Sequence, residues 1–402
     1  MISKPLASIT KIIAGQSPES STYNSTGEGL PFFQGKADFQ DMHPTVRMWC
    51  TSEKRKEAEP GDILISVRAP VGAVNICNQK SIIGRGLASI RPSSELNGKF
   101  LYYWLKANGR QIDALGTGST FKAITQDTLK KIEIPLPLLD DQIRIAHLLG
   151  KVEGLIAQRK QHLQQLDDLL KSVFLEMFGD PVRNEKGWNK APLEKFGSVN
   201  RGVSKHRPRN DPKLLGGKYP LIQTSEVSNA GTYITTYTQT YSDVGFAQSK
   251  QWPVGTLCIT IAANIAQTGI LTFEACFPDS VVGFSAYSNE TNPLYIHGLF
   301  WFFQSILEKN APAAAQKNIN LEILRGLEIP KPPISLQNQF AVIVEKSESL
   351  KSRYQQSLTD LELLYGTLSQ QAFKGELDLS CVPLPSTQPE EKKVVTVEPQ
   401  DR

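Results

Sequence analysis

Three short fragments hold residue types that could do chemistry, and each lacks the context its chemistry requires. Asp211-Pro212-Lys213-Leu214-Leu215-Gly216-Gly217 has the composition of the AdoMet-binding loop of amino-methyltransferases. Such a loop must leave a buried strand so that its glycines approach the cofactor, whereas this one follows the polar run His206-Arg207-Pro208-Arg209-Asn210. Asn292-Pro293-Leu294-Tyr295 is one proline short of the Asn-Pro-Pro-Tyr that grips a flipped adenine. Gly116-Thr117-Gly118-Ser119-Thr120-Phe121-Lys122 is phosphate-friendly but lacks the Walker A order between a strand and a helix. No Rossmann fingerprint, HExxH or paired CxxC appears, and no carboxylate-carboxylate-lysine nuclease cluster stands out. The expectation is a non-catalytic chain with no cofactor and no metal of its own.

Around these fragments the chain repeats itself at a spacing of about 195 residues. Ile134-Pro135-Leu136-Pro137, followed by Gln142 and Ala146, returns in the same register as Ile329-Pro330-Lys331-Pro332, followed by Gln337 and Ala341. That period is far too long for a stacked array, so it marks a duplicated domain. Each copy holds a Gly-led strand, Gly61 to Val67 and Gly255 to Ile261, and an aromatic helix, Phe100 to Leu105 and Leu299 to Phe303, read as core packing. Behind each Ile-Pro-x-Pro segment a long helix is expected, with Asp140 and Ser335 as N-caps and Gln142 and Gln337 in equivalent first-turn positions. Apolar residues then alternate at three and four: Ile145, Leu148, Val152, Leu155, Leu166, Leu169 and Val173, with Arg159 and His162 as breaks. The second copy gives Phe340, Ile343, Leu350, Tyr354, Leu361, Leu364 and Leu368, with Ser347 and Ser357 as gaps. This is a coiled-coil period, and Gly179 and Gly375 are natural stops.

The expected fold is therefore α+β, with two globular domains joined by two long antiparallel helices in a pseudo-two-fold arrangement. The alternative for each helix is folding back on its own domain. The expected segments are 1–137 and 181–333 for the globular modules, 138–180 and 334–380 for the helices, and 381–402 for a disordered tail. Five scattered cysteines read as reduced structural thiols. Without a signal-like N-terminus or an apolar run of membrane length, the expectation is a cytoplasmic protein with no membrane partner.

Charge divides along the same boundaries. Residues 1–137 carry 17 Lys/Arg against 12 Asp/Glu and residues 181–333 carry 15 against 11, whereas 138–180 has 5 against 7 and 334–380 has 4 against 6. The globular modules suit a polyanion and the helices suit protein neighbours. Phosphate oxygens need cationic donors, and base edges need Arg, Lys, Asn or Gln at close range. The candidates are Arg68, Arg85, Ser119 and Lys122 in the first module, and Lys205, His206, Arg207, Arg209, Gln316, Lys317 and Asn318 in the second. Lys122 and Lys317 hold the same place in both copies, which suits a phosphate clamp. The alternative is a scaffold whose two modules on a coiled-coil spacer bind proteins, against which the segmental charge argues.

A globular module, Ile-Pro-x-Pro-x-x-x-x-Gln and a long helix, repeated once over residues 1–380, resembles the specificity (S) subunit of type I restriction-modification enzymes. The resemblance departs at Leu336, where the first copy has Asp141, and at Ala313-Ala314-Ala315, where it has Gly118-Ser119-Thr120. It implies that the modules are target recognition domains, each reading half of a split sequence in double-stranded DNA. It implies two methyltransferase subunits docked on the helices, restriction subunits joining them, and AdoMet, ATP and Mg²⁺ held by those partners. A detached recognition half of a fused restriction-methylation enzyme would look similar. If the helix pair sets the gap between half-sites, inserting one helical turn into both long helices will change the required gap and leave both half-sequences intact. Methylome sequencing checks this, and an altered base preference would contradict it.

Overall fold

The computed structural model describes residues 2–118, 122–262, 264–310 and 319–385. The chain forms two compact units, one from Met1–Gln158 with Leu358–Arg402 and one from Arg159–Ser357. Each unit takes one globular module and half of each long helix.

In the first unit, a four-stranded antiparallel sheet runs in the order Thr10–Ala14, Leu87–Pro92, Ile63–Ser66, Val74–Ile76. All four residues of Ile63–Ser66 are buried, as expected of a strand covered on both faces. A second sheet, ordered Tyr23–Asn24, Trp49–Cys50, Leu30–Phe33, Ser81–Ile83, Glu57–Ala58, contains one parallel pairing, between Leu30–Phe33 and Ser81–Ile83. Ser3–Pro5 pairs with Glu133–Pro135 as a two-stranded ribbon. The aromatic helix Gly98–Ala107 buries Phe100, Leu101, Tyr102, Tyr103 and Leu105, so these rings are core. The Asp62 carboxylate is buried at the start of the interior strand Ile63–Ser66. It accepts two bonds from the Arg91 guanidinium at 2.8 Å, one from Ser89 Oγ at 2.7 Å and one from the Glu59 N–H at 2.9 Å.

The second unit repeats this plan. Its main sheet runs Gly197–Arg201, Val281–Ala286, Leu257–Thr260, Thr268–Leu271, with an extra parallel edge strand, Tyr233–Ile234. Its second sheet, Gln239–Tyr241, Leu215–Leu221, Ala275–Cys276, Gln251–Trp252, again holds one parallel pairing, and its ribbon joins Lys190–Pro192 to Glu328–Pro330. The helix Pro293–Asn310 brings Tyr295 against Phe174 and Phe178 of the first long helix, with ring centroids 5.8 and 4.8 Å away. The four cysteines Cys50, Cys77, Cys258 and Cys276 are buried and free, while Cys381 is free and exposed.

The long helices are Leu139–Phe178 and Ile334–Lys374, about 60 Å each at 1.5 Å per residue. Gly179 and Gly375 follow their ends with φ of 75° and 77°, the left-handed geometry of a helix stop. Within the second unit the two helices run antiparallel: Arg159 Nε donates to Ser357 Oγ at 3.0 Å, and Lys351 pairs with Asp167. Arg159, the break in one apolar pattern, thus meets Ser357, the gap in the other, and its guanidinium also lies over the ring of the seam residue Tyr354. The expected seam needs correction, however. Leu155, Leu169, Leu350 and Leu364 are exposed, and the buried positions include Leu149, Leu170, Phe174 and Phe178. The helix ends pack on the globular modules, so their apolar face is set by the sheet and aromatic helix there and not by the opposing helix alone. Of the expected tail, residues 381–385 are described, and Val382 O accepts from Arg144 Nε at 2.9 Å.

Asp140 and Ser335 are not N-caps. Each lies inside the first helical turn, which begins at Leu139 and Ile334. The start is fixed instead by the wholly buried Gln142 and Gln337. Gln142 Oε1 accepts from the Asn97 N–H at 2.7 Å, and its Nε2 donates to Glu95 O and Pro137 O at 3.0 Å each. Gln337 Oε1 accepts from the Asn292 N–H at 3.0 Å and Thr291 Oγ1 at 2.8 Å, and its Nε2 donates to Pro332 O at 2.9 Å. Each amide thus ties its long helix to the start of the aromatic helix and to the end of the ribbon strand. Replacing Gln142 by Leu leaves an N–H and two carbonyls unpaired, and is expected to destabilise the protein by about 3 kcal/mol. Urea unfolding will show a lower midpoint with an unchanged slope.

Candidate nucleic-acid interface

Strand ends and loops of the first module converge through backbone bonds at one edge of its sheets. Val67 N–H donates to Gly86 O, Gly84 N–H to Phe33 O, Gln16 N–H to Ile83 O and Ala69 N–H to Lys122 O, all at 2.8–3.0 Å. Thr117 and Ala123 exchange both backbone bonds at 2.9 Å, and Ile124 N–H donates to Val67 O at 2.9 Å. The second module builds the same frame. Gly202 N–H donates to Val281 O, as Gly15 N–H does to Leu87 O. Ile261 N–H donates to Ser280 O and Ile319 N–H to Ile261 O, the counterparts of the Val67 and Ile124 bonds.

Arg68 and Arg85 stand exposed on this edge, and neither side chain makes an ion pair among the described residues. The Arg85 N–H is held by Ser17 Oγ at 3.3 Å. Lys122 is not free: its ammonium pairs with Asp113 at 2.8 Å. Ser119, Gln316, Lys317 and Asn318 lie outside the described residues, so the clamp pairing of Lys122 with Lys317 is seen on one side alone. The run from Lys205 to Arg209 is less open than its composition suggests. His206 Nε2 lies 3.0 Å from Asp211 Oδ2, and both Arg207 and Arg209 pair with Asp279. Of Lys205, Arg207 and Arg209, only Lys205 has no ion pair among the described residues. Pairs at the solvent-facing rim like these are weak, so their donors can be exchanged for phosphate or base acceptors.

The catalytic-looking fragments have structural work here. Asn292 Oδ1 accepts from the Leu294 N–H at 2.9 Å at the start of the aromatic helix, and buried Tyr295 donates to Pro330 O at 2.9 Å. Asp211 opens a single 3-10 turn, Pro212–Leu214, with no buried strand before it. Among the described residues no group of three His, Cys, Asp or Glu could hold a metal ion, and no helix is long and apolar enough to cross a membrane.

Residues 3–167 and 185–360 both match the family model of the type I restriction modification DNA specificity domain. The chain belongs to this family. A protein of Methanocaldococcus jannaschii with the provisional name type I restriction enzyme MjaX specificity subunit is 45% identical over 174 residues, 43% of this chain and 41% of the relative. That alignment therefore spans less than half of the relative's length. The EcoBI type I restriction enzyme specificity subunit of Escherichia coli is 21% identical over 406 residues, covering 92% of this chain and 85% of its own. In fold, the chain is similar to the crystal structure of the type I restriction-modification S subunit from M. genitalium, with a TM-score of 0.58 and 16% identity over 92% of this chain and 96% of that one.

In both specificity domains the sequence reading missed residues that organise the edge. Gln248 Oε1 accepts from the Lys205 and His206 N–H groups at 2.6 and 3.0 Å, bracing the basic loop, and Asp279 and Asp113 hold its candidate cations. Their partners are 9 to 72 residues away in the chain, so no local motif marks them. Extending the Gly61/Gly255 strand alignment would have put Asp279 opposite Arg85. If Lys122 leaves Asp113 for a phosphate, Lys122→Ala will weaken all DNA binding and flatten the salt dependence by about one unit. A salt titration of binding checks this, and an unchanged slope would remove Lys122 from the clamp.

Proposed function

We propose that this chain is the DNA-specificity subunit of a type I restriction-modification complex, reading one half of a split, asymmetric DNA sequence with each specificity domain. The observation that carries this reading is one backbone frame built twice with different side chains at its tips. A repeated frame fixes where each domain presents its donors, and diverged tips give each domain a different half-sequence. Arg68 and Arg85 in the first domain, and Lys205, Arg207 and Arg209 in the second, supply guanidinium and ammonium donors for phosphates and base edges.

The chain itself is a recognition and assembly part, and methyl transfer and cleavage belong to its partners. Two methyltransferase subunits dock on the long helices, where Leu155, Leu169, Leu350 and Leu364 leave apolar surface exposed, and restriction subunits join that assembly. AdoMet, ATP and Mg²⁺ are held by those partners. The test is methylome sequencing of a host that expresses this chain with its cognate methyltransferase, against a host with the methyltransferase alone. A new split, asymmetric methyladenine motif that depends on this chain is the expected result. A stable complex that methylates no new motif would count against the reading.

A further inference from the structure

One position of the shared frame carries opposite charge in the two specificity domains. In the first, Val67 N–H donates to Gly86 O and Leu87 N–H to Gly84 O; in the second, Ile261 N–H donates to Ser280 O and Val281 N–H to Pro278 O. These matched bonds put Arg85 and Asp279 at the same point of the same turn. Arg85 presents its guanidinium directly. Asp279 instead accepts from Arg207 Nη2 at 3.3 Å through Oδ2 and from Arg209 through Oδ1. Arg207 is fixed further by its Nη1, which donates to Ser204 O at 2.6 Å and His206 O at 2.9 Å. Two guanidinium charges against one carboxylate leave one positive charge, the same net charge that Arg85 supplies.

We infer that Asp279 is a positioning residue for DNA reading, holding Arg207 and Arg209 in a fixed orientation where the other domain presents Arg85 directly. This rests on the DNA-reading function proposed above. A guanidinium that recognises guanine O6 and N7 must offer two donors in one plane, and a preset plane loses less freedom on binding. The carboxylate also repels phosphate, which suppresses sequence-independent binding. Removing it therefore has two effects of opposite sign: affinity for unrelated DNA rises while discrimination falls. Loss of a merely structural residue would lower both.

The test uses the full chain with its methyltransferase subunits, comparing wild type, Asp279→Asn, Asp279→Glu and Arg85→Ala. Methylome sequencing first gives the wild-type motif. Binding is then titrated on the target duplex, on duplexes with single-base changes in either half, and on an unrelated duplex. For Asp279→Asn, discrimination is expected to fall about tenfold at positions in one half only, with tighter binding to the unrelated duplex. Asp279→Glu is expected to retain wild-type discrimination, and Arg85→Ala to affect the other half. Wild-type discrimination in Asp279→Asn, or an equal loss of affinity for every duplex, would overturn the assignment. Absence of any split motif in the wild type would instead sink the DNA-reading function itself.

Discussion

A buried carboxamide is the joint on which each half of this protein depends. Gln142 and Gln337 each satisfy backbone groups at two places that the chain brings together from far apart, the start of the aromatic helix and the end of the Ile-Pro strand. A carboxamide can donate and accept at once, so a single side chain closes both ends of this junction without burying charge. The long helix that carries it leaves the module in a fixed direction because its first turn is locked there. Beside the Gln337 joint, Phe174 and Phe178 at the end of the first long helix pack on Tyr295 of the aromatic helix and on Phe340 of the second long helix, joining all three.

Rigidity at that joint and variety at the loop edge are complementary. The backbone bonds of the edge recur in both specificity domains, while the side chains above them diverge to the point of reversed charge at Arg85 and Asp279. The sheets and the glutamine joint thus hold the frame, while several of the cations at the edge make exposed ion pairs that can be exchanged. The second domain ties its basic loop with Gln248 and pairs two of its guanidiniums with Asp279, whereas in the first Ser17 and Ser66 hold the Arg85 and Arg68 backbone and leave their side chains without an ion pair among the described residues.

Much of this was legible in the sequence because it is local or repeated. The Ile-Pro strand ends, the aromatic helices and the glycine stops were each marked by residues within one short window, and the 195-residue register exposed the equivalence of the two glutamines. The helix caps were misplaced because Asp140 and Ser335 have the right chemistry, yet the helices start one residue earlier, where the buried glutamines hold them. Apolar periodicity said that the long helices are amphipathic but not what covers them, so Leu155 and Leu364 were assigned to a seam although they face solvent. The bracing of the basic loop was invisible because Arg207 and Asp279 are 72 residues apart in the chain.

The Asp62–Arg91 pair gives the two domains different responses to acid. Burial opposes the Asp62 charge, but the bonds from Arg91, the Glu59 N–H and Ser89 outweigh it and hold the carboxyl below its usual value. Its stabilisation is therefore complete above the unfolded aspartate value of about 3.9 and is lost as pH falls through the lower folded value. In the second domain the corresponding strand starts with neutral Thr256, whose hydroxyl donates to Pro253 O. In that domain Glu226 is held low, burial being again outweighed by hydrogen bonds from Thr238, Ser225 and the Gln223 N–H, and Asp211 is held low by the Lys213 N–H and by the Lys213 and His206 side chains. Acid thus dissolves a buried hydrogen-bond network at the start of a sheet strand in the first domain, and in the second the bonds that hold Glu226 and Asp211 in place.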